Sequence, residues 1–140
     1  MRTLFAFLCD YAQDPGNGKI VAVGVGIDNF FVADLNQPAA PFHFVVSLEG
    51  TRNEAGAKQC QICLMDEDGK TVVPPFQKEL PVLAPPVGLK TGMRVLLGFN
   101  GVKFPRYGPY VINLTIDGHE YANISFTVSK PPVPGGGHVQ

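Results

Sequence analysis

Hydrophobic and polar residues alternate with a period of two along five stretches of this chain, at residues 42–49, 60–65, 93–99, 110–117 and 121–128. Successive side chains of a β-strand point to opposite faces, so this alternation predicts strands with one dry face and one wet face. Antiparallel sheets have this two-sided character. No helical period persists along the chain, and the pattern therefore predicts an all-β protein.

Two Asp-Gly pairs, Asp68-Gly69 and Asp117-Gly118, lie next to alternating stretches. This dipeptide is the strongest short-range signal for a β-hairpin, because both of its residues accept the positive φ angles of a type I′ turn. Residues 104–128 are therefore predicted to form a strand, a tight turn and a second strand. With turn signals roughly every 10–20 residues, we expect a single immunoglobulin-like antiparallel β-sandwich of about seven to nine strands.

Proline and glycine mark two further parts of the chain. Five prolines lie within residues 74–88, and proline cannot donate a hydrogen bond to a sheet, so this stretch is predicted to be an edge or a crossing loop. Residues 129–140 are rich in both amino acids, which predicts a flexible tail. The predicted sandwich domain is accordingly residues 1–128, followed by the tail at residues 129–140.

The first two apolar stretches, residues 3–9 and 20–27, differ from the others because both of their faces are apolar. The turn-rich loop 14–18 is predicted to join them as a hairpin connection. A strand of this kind is either packed on both sides or forms half of a subunit interface. For the second case, the predicted interface residues are Leu4, Ala6 and Leu8.

Charge is sparse along this chain and is not clustered. Charged residues make up 16% of the sequence and the formal net charge is −1, whereas a typical protein has ~25% charged residues. Proteins that bind nucleic acid carry a clustered basic face, so no nucleic-acid partner is predicted. The apolar runs are far shorter than the ~20 residues of a membrane-spanning helix, and no membrane partner is predicted.

The beginning of the chain and its cysteines favour a cytoplasmic location. The apolar run at residues 4–9 ends at Asp10 and is shorter than the ~7–15-residue core of a signal peptide, so it is interpreted as a first strand. The cysteine count of three is odd, which suits free thiols in a reducing compartment.

Cys60 and Cys63 have the spacing of half a zinc site or of a redox pair. A zinc site needs four ligands, and only Cys9 and three scattered histidines remain. Residues three apart in a strand point to opposite faces, which predicts a core position for Cys60 and an exposed one for Cys63. Gly24 and Gly26 lack the third glycine and the helix of a dinucleotide-binding loop. No metal and no cofactor are predicted.

Two polar loops leave alternatives open. The acidic turn Asp66, Glu67 and Asp68 is interpreted as a solvated hairpin turn, and the alternative is cation binding, which requires six or more oxygen ligands. A second loop mixes cations with aromatic rings, which either stack on a ligand or anchor the loop in the core. The candidate ligand residues in this loop are Lys103, Phe104, Arg106 and Tyr107.

Two segments of the chain resemble a known family. Residues 8–12, with the sequence LCDYA, and the glycine-containing stretch 18–26 resemble the opening of a family of small uncharacterised bacterial β-sandwich proteins. Residues 104–118 are similar to the final hairpin of that family, except that Pro109 stands between Gly108 and the expected tyrosine. The resemblance spans residues 3–128. It implies a β-sandwich of the bacterial cytosol and supplies no catalytic residues.

These expectations favour a non-catalytic protein-interaction or assembly domain of the bacterial cytosol, whose partner is another protein or a second copy of the chain. One alternative is a module that binds a sugar or a metabolite through its loops. Another is a structural subunit of a larger particle or filament. An enzyme is not expected, because the three histidines are not spaced beside a nucleophile or a carboxylate pair.

Overall fold

The computed structural model describes residues 1–16, 18–82 and 90–132, and within them the chain is all-β, as the alternating pattern predicts. A single 3₁₀ turn, at Arg52–Glu54, accompanies ten strands in these residues. The strands are β1 (Arg2–Cys9), β2 (Tyr11–Gln13), β3 (Val21–Val23), β4 (Asn29–Phe31), β5 (Phe42–Thr51), β6 (Gly56–Asp66), β7 (Phe76–Val82), β8 (Lys90–Phe99), β9 (Gly108–Ile116) and β10 (His119–Ser129).

The predicted number of strands, about seven to nine, is therefore too low. The strands β2, β3 and β4 are each three residues long. A strand of that length is too short to show a period of two in the sequence. Within the described residues there is no helix with the length and apolar character needed to cross a membrane.

Two larger sheets and one small hairpin make up the architecture. A three-stranded sheet has the order β1-β5-β8, a five-stranded sheet has the order β4-β10-β9-β6-β7, and β2 pairs with β3. Most neighbouring strands are antiparallel, whereas β4 runs parallel to the end of β10. The β9–β10 hairpin turns at Asp117 and Gly118, whose φ angles of 49° and 82° are both positive, as a type I′ turn requires.

The turn after β6 differs from its prediction. Of the pair Asp68 and Gly69, only Gly69 has a positive φ, of 80°, so the predicted type I′ turn is wrong at this position. The Gly69 amide donates to the Asp66 carbonyl at 3.0 Å, and the Asp66 amide donates to the Lys70 carbonyl at 2.9 Å. These bonds close a three-residue loop with the glycine in the left-handed conformation. The Asp66 carboxylate favours this loop because it accepts the amides of Asp68 and Lys70.

The two larger sheets enclose a common hydrophobic core. The inward-facing residues that are at most 3% exposed include Phe42, Phe44, Val46 and Leu48 of β5 and Ile112, Leu114 and Ile116 of β9. Aromatic rings fill one part of this core, where the Phe104 centroid lies 4.9 Å from that of Tyr110 and 5.9 Å from that of Phe126. Burial of each large apolar side chain stabilises the fold by about 1.5–3 kcal/mol.

The proline-rich stretch begins as an edge strand, as predicted. β7 lies at the edge of the five-stranded sheet, and its Pro81 is exposed. Residues 83–88 of the same stretch lie outside the described residues. The predicted tail begins at Ser129, which the structure places in β10, and residues 133–140 of that tail also lie outside the described residues.

The N-terminal segment contributes to two apolar clusters. β1 adds Leu8 to the common core, while Cys9 faces outward into a second, smaller cluster with Val45 of β5. The β2–β3 hairpin adds Ala12 and Ala22 to that second cluster. The end of β1 is therefore packed on both sides, which explains why both of its faces are apolar.

Tyr110 closes the loop that leads into β9. Its hydroxyl donates to the Arg106 carbonyl at 2.6 Å and accepts the Arg106 amide at 3.3 Å. The side chain is 2% exposed, and burial raises the pKa of its hydroxyl. The hydroxyl therefore keeps its proton at neutral pH and remains a donor.

Replacing this tyrosine by Tyr110→Phe leaves the Arg106 carbonyl without its partner. We expect the free energy of unfolding to fall by about 1–3 kcal/mol, the cost of a buried polar group that loses its hydrogen bond. Urea unfolding followed by circular dichroism measures this change. Tyr121→Phe is the matched control, because Tyr121 is half-buried and its hydroxyl makes no hydrogen bond within the described residues. Equal losses in the two variants would contradict the assigned role of Tyr110.

Candidate functional site

The predicted ligand loop between β8 and β9 is anchored by its aromatic residues. Phe104 is 2% exposed and packs edge-on against Tyr110 in the core. Tyr107 is 36% exposed, and its hydroxyl donates to the carbonyl of Val32 at 2.7 Å. Phe104 therefore offers no ring face to a ligand, and the Tyr107 hydroxyl is already bound to the backbone.

Arg106 extends from this loop to the acidic turn after β6. Its guanidinium donates to the Asp68 carboxylate at 3.1 Å, and it lies 3.5 Å from a carboxylate oxygen of Asp66 and 3.9 Å from one of Glu67. The hydrogen bond to Asp68 raises the pKa of Arg106, so the group stays charged. The structure thus brings together two loops that the sequence analysis treats as separate candidates.

Asp66 is the buried member of this charge cluster, with 5% of its surface exposed. The Lys70 amide, the Asp68 amide and the Arg106 charge together hold the pKa of the Asp66 carboxyl below its ordinary value, while burial opposes them. Arg106 supplies the positive charge that a bound cation would supply. Among the residues that the structure describes, no three His, Cys, Asp or Glu side chains are grouped to hold a metal ion.

A cavity of about 260 Å³ lies beside the charge cluster. Its polar lining includes Lys70, Thr71 and Lys103 as well as Asp66 and Arg106. Lys103 is exposed and forms no ion pair within the described part of the chain. Of the four predicted ligand residues, Lys103 is thus the one whose polar group is not already engaged. Its ammonium group is a flexible, strongly hydrated point charge. The charge cluster around Arg106 serves to join the acidic turn after β6 to the loop between β8 and β9.

The three cysteines are free thiols. Cys60 is buried and Cys63 is half-buried, and the alternating burial along β6 places them on opposite faces, as strand geometry predicts. Cys63 is less exposed than the sequence suggests. Burial raises the pKa of Cys9, Cys60 and Cys63. A thiol with a raised pKa has little of the thiolate that acts as a nucleophile at neutral pH.

The predicted interface residues of β1 lie in three different environments. Leu8 is 1% exposed and belongs to the core, and Ala6 is half-buried against the core. Leu4 is 48% exposed, because the pairing of β1 with β5 shifts between Thr3 and Phe5 and leaves Leu4 in a bulge. The Leu8 side chain is thus buried inside the folded chain, and the assignment of Leu4, Ala6 and Leu8 to an interface stays a prediction.

The larger exposed apolar surface lies on the following segment, which includes the two-sided apolar stretch 20–27, although no interface residue is predicted there by name. Four side chains are at least half exposed there, and we call them the hairpin face: Tyr11, Val21, Val23 and Val25. Tyr11 stands directly opposite Val23 in the pairing of β2 with β3. The alternation of valine with a small residue at 21–25 is the sequence signal for this face.

Small residues and one aromatic contact position the hairpin face. Ala12 and Ala22 point toward the three-stranded sheet, so residues 11, 21 and 23 point away from it. The Tyr11 ring packs edge-on against the ring of His43 on β5, with centroids 5.3 Å apart. That histidine lies directly above Gly98 of β8, where an added Cβ would come 3.1 Å from its Nε2 atom. Gly24 adopts a φ of 69° next to Asp10, and a side chain there would clash with the Asp10 carboxylate.

A family model described as a family of unknown function, DUF6941, matches residues 4–129 of the chain. The match covers most of β1 and continues to the end of β10. The chain belongs to this family. No curated protein matches it. This match confirms the predicted resemblance to an uncharacterised family. The sequence motifs quoted above and the bacterial origin stay predictions.

The DUF6941 domain contains every surface described above. Its matched residues include the hairpin face, the acidic turn after β6 and the loop between β8 and β9. These features therefore belong to the domain itself and not to a terminal extension beyond it. The family description assigns no activity, so a function has to be argued from the surfaces of this chain.

The lowered pKa of Asp66 gives a prediction for the pH dependence of stability. A carboxyl whose pKa is lower in the folded state stabilises the fold fully above its unfolded pKa of ~3.9 and loses that contribution as the pH falls through the folded pKa. We expect Asp66→Asn to be less stable than the parent chain at pH 7, and the difference to shrink below about pH 4. Urea midpoints measured from pH 7 to pH 2.5 test this prediction. A difference that stays constant with pH would contradict the assigned role of the Asp66 charge.

Proposed function

We propose that this chain is a non-catalytic protein-interaction or assembly domain of the bacterial cytosol, and that the hairpin face is its contact surface. The observation that carries the proposal is the exposure of four large apolar side chains on one short segment, with Val21 at 51%, Val23 at 57% and Val25 at 56% beside Tyr11 at 50%. A soluble monomer gains nothing from presenting this much apolar surface to water.

The size of the hairpin face supports a contact role. Half-exposed side chains of this kind present on the order of 300–400 Å² of apolar surface together, which is comparable to the largest patches on monomeric proteins, and such patches are often functional. The exposed Phe5 and Leu4 of β1, at 41% and 48%, add to the apolar surface of the N-terminal segment. An interface of standard size buries about 800 Å² on each partner, so the hairpin face would form its apolar centre.

The chemistry of the hairpin face favours a protein partner. The strands β2 and β3 carry no charged residue, and interface centres are depleted of charge and enriched in tyrosine. Nucleic acids and anionic membrane surfaces are bound chiefly through lysine and arginine. An uncharged face also meets a copy of itself without like-charge repulsion, so a second copy of this chain is a suitable partner as well.

The strand arrangement supports the assignment of residues 1–128 to the immunoglobulin-like class of β-sandwiches. Sandwiches of that class pack two antiparallel sheets and carry a tyrosine near the start of a late strand whose hydroxyl bonds the backbone just upstream. Tyr110 stands near the start of β9 and bonds the backbone of Arg106. The order β4-β10-β9-β6-β7 opposite β1-β5-β8 is also consistent with this class.

The proposal of a non-catalytic role rests on the protonation and contacts of the thiols, Arg106 and His43. The thiols are held at raised pKa by burial, and Arg106 is engaged by three carboxylates. His43 lies against Tyr11 and above Gly98. These groups act as packing and anchoring elements, which favours a domain whose role is contact.

A charge placed on the hairpin face tests the proposal. We expect Val23→Asp to weaken association at least about tenfold, because a carboxylate buried in an apolar contact without a partner costs more than ~1.4 kcal/mol. The measurement is native mass spectrometry of the chain purified from its own host, in which the parent chain carries a partner or forms a multiple of 15.1 kDa.

Ser125→Asp is the matched control for this experiment, because Ser125 is exposed on β10 of the other sheet. It places the same charge on a polar surface and is expected to keep the associated mass. A bare 15.1 kDa parent chain, or an associated mass that survives Val23→Asp, would contradict the proposed contact surface.

A further inference from the structure

We propose that the free edge of β8 pairs with β8 of a second copy of the chain, which joins the two three-stranded sheets into one sheet of six strands. β8 lies at one edge of its sheet and pairs only with β5 within the described residues. An edge strand presents a row of unpaired amides and carbonyls, which is a template for another strand. This contact is separate from the hairpin face and does not depend on the interaction role proposed above.

The pairing of β1 with β5 determines which backbone groups of β8 face outward. The Leu8 carbonyl accepts the Gly26 amide at 2.9 Å, so the backbone of Leu8 points away from β5. Its neighbour across the ladder, Phe44, therefore points toward β8 and exchanges hydrogen bonds with its own partner there, Leu97. These directions alternate along a strand. The amides and carbonyls at the free edge of β8 are accordingly those of Arg94, Leu96 and Gly98.

The other three edges of the two larger sheets carry features that hinder such pairing. β1 has a bulge between Thr3 and Phe5, β4 is three residues long, and β7 contains Pro81. Bulges, short strands and prolines are the devices by which proteins protect the edges of their sheets. β8 has ten residues, no proline and an unshifted register with β5 along its whole length. It is thus the edge that is best suited to accept another strand.

The core is also less completely covered along β8. On the opposite side of the sandwich, the Thr3 hydroxyl of β1 donates to the Tyr121 carbonyl of β10 and joins the two sheets. Leu97 and Phe99 of β8 pack against the core from its edge, and both side chains are only half-buried. A strand added to β8 would cover them. Burial of apolar surface would therefore accompany the backbone hydrogen bonds and favour the pairing.

Charge selects the register in which two copies pair about a two-fold axis. With the axis at Arg94, the two arginines would face each other, and like charges directly opposite are unfavourable. With the axis at Val95, they would be two residues apart along the strand, about 7 Å. An axis at Leu96 separates them by four residues, about 14 Å, which exceeds the Debye length of about 8 Å at physiological salt. The favoured register therefore places Leu96 opposite its own counterpart.

Residues 93–99 of both copies form the contact in this register. Arg94 lies opposite Gly98, which carries no charge, and the half-buried Leu97 and Phe99 gain apolar neighbours from the partner strand. The outward-facing residues exchange about six backbone hydrogen bonds. This arrangement is isologous, because the same surface of the chain serves on both sides of the axis.

The contact is short, which determines its strength. Few hydrogen bonds and a narrow apolar strip place it at the low end of interface sizes. We therefore expect a Kd on the order of 0.1 mM for this contact alone. At about 1 µM chain such a dimer is almost fully dissociated, so it does not add to the associated mass that the hairpin face gives in native mass spectrometry.

Cysteine cross-linking of the full chain tests the register. Leu96→Cys places two Cα atoms about 5.5 Å apart across the axis, which a disulfide spans, whereas Arg94→Cys places them about 14 Å apart, which it does not span. Both variants also carry Val23→Asp, which suppresses association through the hairpin face. Under mild oxidation at about 1 mM chain, we expect Leu96→Cys to form a covalent dimer at least about tenfold faster than Arg94→Cys. The Val23→Asp chain without an added cysteine controls for the native thiols, and peptide mapping identifies the linked positions.

A charge at the axis tests the pairing without a new covalent bond. In the same Val23→Asp background, Leu96→Lys sets two like charges opposite each other and is expected to raise the dimer Kd at least about tenfold. Ser125→Lys places the same charge on the exposed surface of the other sheet and is expected to leave the Kd unchanged. Sedimentation equilibrium measures the Kd, and circular dichroism checks that each variant is folded. Equal cross-linking rates for Leu96→Cys and Arg94→Cys, or absence of a Val23→Asp dimer up to about 1 mM, would overturn the proposal.

Discussion

The outer face of the three-stranded sheet is apolar where β1 ends, and this constraint determines the arrangement of the N-terminal segment. Val45 and Cys9 lie on that face and are fully buried, although β5 and β1 already bury their other face in the core. Only a further layer of chain can keep both faces dry. The β2–β3 hairpin is that layer, and it packs on the sheet through Ala12 and Ala22.

Covering the sheet in this way has two structural consequences. A two-stranded hairpin that turns its small residues inward must turn its large ones outward, and the hairpin face is the result. The hairpin covers only part of the sheet, so a cavity floored by Ser47 and Arg94 remains next to the loop before β3. The exposure of the hairpin face and the open part of the sheet therefore both follow from one structural requirement.

Sequence periodicity predicts the strands and turns of this fold that depend on residues close together along the chain. The five alternating stretches, the Asp117-Gly118 turn and the edge position of β7 follow from strand geometry and turn chemistry alone. Periodicity also identifies the two apolar faces at the end of β1, but it does not show that the core covers one of them and the β2–β3 hairpin covers the other. The meeting of Arg106 with Asp66 depends on the packing of two distant loops, and the Ser47 cavity depends on three strands and a loop, so neither is visible in local patterns.

We expect the hairpin face to be covered by a partner inside the cell, and the decisive measurement is hydroxyl-radical labelling of Tyr11 in the host. Tyr107 is partly exposed on a different loop and serves as the internal reference. Tyr11 is expected to be labelled readily in the dilute purified chain and to be protected relative to Tyr107 in the cell. Equal labelling of Tyr11 in the two settings would contradict it.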